Sequence, residues 1–115
     1  MTSGLQSIVF PVTDLNKAKA VFGALLGTEP HTDTPYYVGY RVGELEVALA
    51  PPAGPNEGLT GPAPVWFVED IKSSLQALLD AGAEKEMDIM DVGAGNLLAR
   101  VRDADGNAIG LMQGA

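Results

Sequence analysis

Residues 12–27 read VTDLNKAKAVFGALLG, and residues 68–83 read VEDIKSSLQALLDAGA. In both, a β-branched run stops and an Asp (Asp14, Asp70) stands where a helix N-cap belongs, its carboxylate placed to accept first-turn N–H groups. An amphipathic segment of about a dozen residues follows in each, closing at Gly27 and at Gly82. Leu15, Ala18, Val21, Phe22, Leu25 and Leu26 fall at helical spacing on one face of the first segment, as do Ile71, Leu75, Leu78 and Leu79 in the second. The two stretches lie about 56 residues apart, so the chain repeats a strand–helix opening.

Strands flank both helices. Leu5 to Val12 (LQSIVFPV) reads as the first, with Pro11, which has no ladder donor, best placed at its end. After the first helix, a short strand near Glu29 to Thr32 precedes Tyr36 to Val42 and Leu45 to Ala50, which are joined by a tight turn at Gly43-Glu44. Pro51 to Pro64 (PPAGPNEGLTGPAP) is rich in proline and glycine and reads as an irregular linker. Val65 to Val68 starts the second copy. Lys85 to Asp91, Leu97 to Arg102 and Ala108 to Met112 complete it, the last two separated by the turn Asp103-Ala104-Asp105-Gly106-Asn107. The order is β-α-β-β-β, linker, β-α-β-β-β. It predicts an α+β fold of two βαβββ modules, about 5–50 and about 65–113, in one domain spanning 1–115. The helices lie on the outer face of a curved mixed sheet that surrounds a cleft. A doubly wound dinucleotide fold is excluded, because Pro11-Val12-Thr13-Asp14 stands where its glycine-rich turn would be.

Composition narrows the function. The chain has 115 residues, no cysteine and a formal charge of −8 from 15 acidic and 7 basic residues. Disulfides, thiolate nucleophiles and Cys-ligated zinc are therefore excluded. The negative field opposes nucleic acid and anionic membrane as partners. No apolar run reaches transmembrane length and MTSGLQSIVF lacks a signal peptide's basic flank, so cytoplasm is the expected location.

The segments FPVTDLNKAKAVFGALLG, FVEDIKSSLQALLDAGA and RDADGNAIGLMQ, in this order and spacing, resemble the vicinal-oxygen-chelate superfamily of glyoxalases, extradiol dioxygenases and bleomycin-resistance proteins. The resemblance covers nearly the whole chain. It implies a homodimer and, in catalytic members, a divalent metal in the cleft. Metal-binding His positions of the family fall on Ser7 and Ala63 here, and the position of a ligating Glu falls on Gly110. Glu46 is the only acid on the last strand of the first half, and its register decides whether it reaches the cleft. A catalytic metal needs about three converging N or O ligands, and a single histidine, His31, on a loop-like stretch does not begin such a set. The expectation is a chain without metal or cofactor.

Strand alternation supplies candidates for the cleft wall. Ile8, Phe10, Trp66, Val68, Val101, Ile109 and Leu111 would face the helices. Ser7, Val9, Val65, Phe67, Leu98, Arg100, Arg102, Gly110 and Met112 would face the cleft, with Ala63 beside Ser7 and Gly110 at the metal positions that the resemblance implies; Tyr36 and Tyr40 are further candidates for contact with a ligand. Arg100 and Arg102 either hold a ligand carboxylate or phosphate, or stand in water balancing Asp91, Asp103 or Asp105. Tyr36 and Tyr40 either stack on a ligand or pack, and Tyr37 packs. His31 is a surface residue unless a nucleophile and an orienting acid lie nearby, and Ser7 has no histidine placed to activate it. The leading function is metal-free binding of a small organic molecule, aromatic or anionic, as in the drug-binding resistance proteins. The alternatives are a lyase or oxidoreductase with unusual or no metal ligands, and a non-catalytic structural or regulatory dimer.

Overall fold

The computed structural model describes residues 2–115. Its elements are β1 (Thr2–Pro11), α1 (Leu15–Leu26), β2 (Thr32–Asp33), β3 (Val38–Val42), β4 (Leu45–Ala50), β5 (Ala63–Val68), α2 (Ile71–Asp80), β6 (Glu84–Asp91), β7 (Leu97–Arg102) and β8 (Ala108–Gln113). Two compact units emerge: Ser7–Pro62, and Ala63–Ala115 together with the start of β1 up to Gln6. Each is a mixed sheet with a helix on one face. The strand order is β2-β3-β4-β1 in the first and β6-β7-β8-β5 in the second, so the two units repeat one topology. Within each, the first and last strands pair in parallel and the remaining pairs are antiparallel. The parallel pair follows from the helix, which carries the chain back across the sheet.

In the Ser7–Pro62 unit, Asp14 caps α1 by accepting from Lys17 N at 3.1 Å. Gly27 ends it in the left-handed conformation at φ 65°, which glycine adopts without a Cβ penalty. Leu15, Ala18, Phe22 and Leu26 pack on Val38, Tyr40, Val47 and Leu49, with Phe10 and Val12 joining them. The Phe10 and Phe22 rings stand 4.9 Å apart. Val21 and Leu25, expected on this face, are 66% and 73% exposed. The stripe that meets the sheet is the i, i+3, i+7, i+11 row, and Val21 and Leu25 lie roughly 60–100° around the helix from it.

In the Ala63–Ala115 unit, Asp70 accepts from Ser73 N at 3.2 Å, and the side chain of Gln113 accepts from Ile71 N at 2.8 Å. The start of α2 is thereby tied to the last strand. Ile71 and Leu75 are buried against Val68, Ala99, Val101 and Leu111, with Trp66, Leu78, Leu79 and Ile109 packed around them. Each such side chain contributes about 1.5–3 kcal/mol when fully buried.

Several boundaries move. Tyr36 and Tyr37 precede β3 rather than opening it, and the linker carries a short 3₁₀ turn at Gly54–Asn56 and gives up Ala63 and Pro64 to β5.

Candidate functional site

In the Ser7–Pro62 unit, β1 pairs with β4 as Ser7 opposite Glu46 and Val9 opposite Ala48. β3 meets β4 as Arg41 opposite Glu46 and Gly39 opposite Ala48. Since Phe10, Val38, Tyr40, Val47 and Leu49 pack on α1, alternation turns Ser7, Val9, Gly39, Arg41, Glu46 and Ala48 to the other face. The register of Glu46 is thus settled: it shares a face with Ser7.

Glu46 is the hub of that face. His31 Nε2 stands 2.7 Å from Oε1, Arg41 Nη2 donates to the same oxygen at 3.2 Å, and the Tyr37 hydroxyl donates to Oε2. Thr32 Oγ1 lies 2.8 Å from His31 Nδ1. A carboxylate only accepts, so Nε2 carries a proton here and, in the neutral ring, Nδ1 accepts from the Thr32 hydroxyl. Burial first, then the bond to Glu46, pushes the Tyr37 hydroxyl well above its ordinary value. Gly39 makes the approach feasible. A Cβ there would lie 2.8 Å from the Tyr37 ring and 3.0 Å from His31 Nε2.

These residues do not fit a catalytic metal. Ser7 offers a buried hydroxyl, Ala63 and Gly110 offer no ligand atom, and both oxygens of Glu46 are already engaged by cationic or hydroxyl donors. Among the described residues no group of three or more His, Cys, Asp or Glu side chains could hold a metal ion.

The free face of the Ala63–Ala115 unit is built in rows across its strands. Phe67, Met112 and Leu98 form one row, continued on β6 by Met90. Val65, Gly110 and Arg100 form the next, and Ala108 and Arg102 lie beyond. Phe67 is 39% and Met90 41% exposed, whereas Arg100 is only 5% exposed. Val65 leans over Gly110: a Cβ on residue 110 would come within 3.0 Å of Val65 Cγ2 and 3.2 Å of the Pro64 carbonyl oxygen.

Both arginines meet Glu86 on β6. Arg100 Nε lies 3.4 Å and Arg102 Nε 2.5 Å from Glu86 Oε2, and Arg102 Nη2 donates to Oε1 at 2.9 Å. Arg102 Nη1 also donates to the Gly106 carbonyl at 2.7 Å. Burial pushes the Glu86 carboxyl upward, but the hydrogen bond from Arg102 and the charges of both arginines outweigh it and hold the pKa below its ordinary value.

Phe67, Leu98, Arg100, Arg102, Gly110 and Met112 share one face of their unit, and Ser7 and Val9 share one face of theirs. Ala63 is buried. Tyr40 does not join them: it has no exposed surface, packs under α1 and donates to the Lys19 carbonyl at 3.2 Å. Its register partner Val47 lies on the helix side, so packing claims it. Tyr36 is 79% exposed and borders a hollow of about 350 Å³ with Tyr37, Ala50 and Pro51. The arginines are balanced by Glu86 rather than by Asp91, Asp103 or Asp105. Asp103 instead accepts from the backbone of Asp105 and Asn107 and from the Asn107 side chain.

Glu86 was not foreseen, since the register of β6 breaks on either side of Met87 and strict alternation fails there. The Arg41–Glu46 pair was legible: a turn at Gly43-Glu44 sets Val42 opposite Leu45 and therefore Arg41 opposite Glu46. The convergence of His31 and Tyr37 on it had no local signal.

Solved structures share this architecture. Methylmalonyl-CoA epimerase from Mycobacterium tuberculosis is 18% identical with a TM-score of 0.76, covering 99% of this chain and 89% of that one. A glyoxalase/bleomycin resistance protein/dioxygenase superfamily member from Vibrio splendidus is 20% identical with a TM-score of 0.75, covering 95% and 97%. A Streptomyces coelicolor methylmalonyl-CoA epimerase variant in complex with 2-nitronate-propionyl-CoA is 14% identical with a TM-score of 0.74, covering 100% and 99%. At such identities the likeness is one of fold. A search of curated proteins finds no match. The family model of the Glyoxalase/Bleomycin resistance protein/Dioxygenase superfamily matches residues 4–111. With that match spanning nearly the whole chain, and with two β-α-β-β-β units in the structure, the protein belongs to the Glyoxalase/Bleomycin resistance protein/Dioxygenase superfamily.

Proposed function

We propose that the protein binds a small organic anion, aromatic or acyl, without a metal, and that the free face of the Ala63–Ala115 unit holds it. One observation carries this reading: the Arg100 guanidinium is buried on the same face as the apolar row Phe67, Met112 and Leu98. An apolar floor binds the body of an organic molecule. A planar guanidinium in low dielectric binds a carboxylate or phosphate through paired N–H donors. The engagement of Glu46 by His31, Tyr37 and Arg41 supports the metal-free part. The ligand held by the Streptomyces coelicolor epimerase, 2-nitronate-propionyl-CoA, supports the anionic class. The chain acts as one domain and pairs with a second copy, which light scattering would test.

Calorimetric titration with a panel of aromatic and acyl carboxylates tests the reading. Binding should be tighter than about 1 mM, equivalent to about 4 kcal/mol. Arg100→Ala should weaken it by about 2 kcal/mol or more, because a buried charge-assisted pair is broken. No binding across the panel, or unchanged affinity in Arg100→Ala, overturns it.

One observation favours a catalytic alternative. Glu46, His31 and Tyr37 form a connected chain of proton-carrying groups, suited to general acid–base work on a bound carbonyl compound. A stoichiometric divalent ion in protein purified without chelator would move the assignment to a metal-dependent form of that alternative.

A further inference from the structure

The two arginines already hold a carboxylate, that of Glu86. We propose that Glu86 is a built-in occupant of the anion site, and that a ligand carboxylate binds Arg100 and Arg102 by displacing it. This rests on the proposed anion-binding role of those arginines and adds how that site is regulated.

The contacts of Glu86 are those an incoming carboxylate would make. Oε1 and Oε2 each accept from Arg102, at 2.9 and 2.5 Å, in the two-pronged arrangement that guanidinium and carboxylate prefer, while Arg100 Nε lies 3.4 Å from Oε2. Arg102 is fixed independently by the Gly106 carbonyl at 2.7 Å, so it keeps its place when Glu86 leaves. Asp103, the acid of the neighbouring turn that follows Arg102, is committed to Asn107 and the backbone of Asp105.

Glu86 is also the partner best able to move. It lies on β6, at the edge of the sheet, where the pairing with β7 slips between Lys85 and Met87 and again between Met87 and Met90. Bulged edge segments give up fewer ladder bonds when they shift. Its side chain is 21% exposed against 6% for Arg100, so it has a path to water that Arg100 lacks. The carboxylate stays ionised near neutral pH, because the arginines hold its pKa down. Exchange of one carboxylate for another keeps the buried guanidinium compensated throughout, avoiding the cost of an unpaired buried charge.

The consequence is an affinity set by competition with an internal group at high effective concentration. Calorimetric titration with benzoate, and with uncharged benzamide as control, tests it in the wild type, Glu86→Gln, Glu86→Asp and Arg100→Ala. Glu86→Gln should bind benzoate at least tenfold more tightly than the wild type, with benzamide affinity unchanged. Glu86→Asp keeps the charge on a shorter arm and should fall between them, which preserves the test if the Gln variant folds poorly. Weaker or equal benzoate binding in both Glu86 variants, with Arg100→Ala still losing affinity, overturns the displacement idea and leaves the anion site standing. Unchanged affinity in Arg100→Ala, or no binding in any variant, overturns the anion site and the displacement with it.

Discussion

Gly110 falls at a metal-ligand position of the family, and its packing predicts what any side chain there would cost. A Cβ on residue 110 would lie 3.0 Å from Val65 Cγ2, 3.2 Å from the Pro64 carbonyl oxygen and 3.5 Å from Val65 Cα. Val65 is a β-branched residue held in a buried strand, so its methyl cannot turn away cheaply. Overpacking of this kind costs about 1–3 kcal/mol. The backbone at 110 is not in the left-handed region, so Gly→Ala regains about 0.4–1 kcal/mol from the unfolded chain. Gly110→Ala should therefore lose about 1 kcal/mol net. Val65→Ala alone should lose about 2 kcal/mol, from two buried methyl groups and the space they leave. The double variant removes the nearest contact and leaves the Pro64 carbonyl oxygen at 3.2 Å as the one tight neighbour, Val65 Cα at 3.5 Å being ordinary van der Waals contact. It should cost about 2 kcal/mol, less than the two singles together, a coupling of about 1 kcal/mol. Urea unfolding of the four proteins at one pH, compared through midpoints at a common slope, measures it. Full additivity, or a Gly110→Ala protein as stable as the wild type, would refute the claim that Val65 fills the room above Gly110.

Asp14→Ala and Asp70→Ala should each cost about 1 kcal/mol in thermal or urea unfolding, since each carboxylate accepts from a first-turn N–H; a loss in neither would show that the caps are ornamental. Tyr37 and Tyr40 are both held above their ordinary value of 10.0, so their stabilisation is complete below about pH 10 and is lost as pH rises through the folded-state values. Phenolate absorbance should show the Tyr37 transition moving down in Glu46→Gln, and an unmoved transition would break the link to Glu46. For Glu86 the sign reverses. Its folded value is depressed, so its contribution is present above about pH 4.5 and disappears as pH falls through the lower value. Stability measured against pH should fall less steeply on the acid side in Glu86→Gln, and an identical acid limb in both proteins would remove Glu86 from the balance.

Much of the fold was legible because its signals are local. The Asp caps, the helical stripes and the Gly43-Glu44 turn act over a few residues, and both helices start at the residue after the predicted cap. Alternation also sorted Ser7 and Val9 from Phe10, and Phe67 from Trp66, because a strand buried on one face repeats every two residues. Helical spacing overreached at Val21 and Leu25, where a six-residue stripe was wider than the sheet could cover, and for Tyr40 the sequence left stacking and packing both open until its pairing with Val47 placed it under α1.

The repeat of helix and strand, the absence of metal ligands at Ser7, Ala63 and Gly110, and the identity of the arginines follow from the sequence alone. They depend on residue type and short spacing. Only the tertiary structure decided that Glu46 gathers His31, Tyr37 and Arg41, and that Glu86 holds Arg100 and Arg102. His31 stands just before β2 and Glu46 on β4, two segments that meet only through β3, and Glu86 sits in a bulge. A pairing set by register and by a break in register has no periodic trace in the chain.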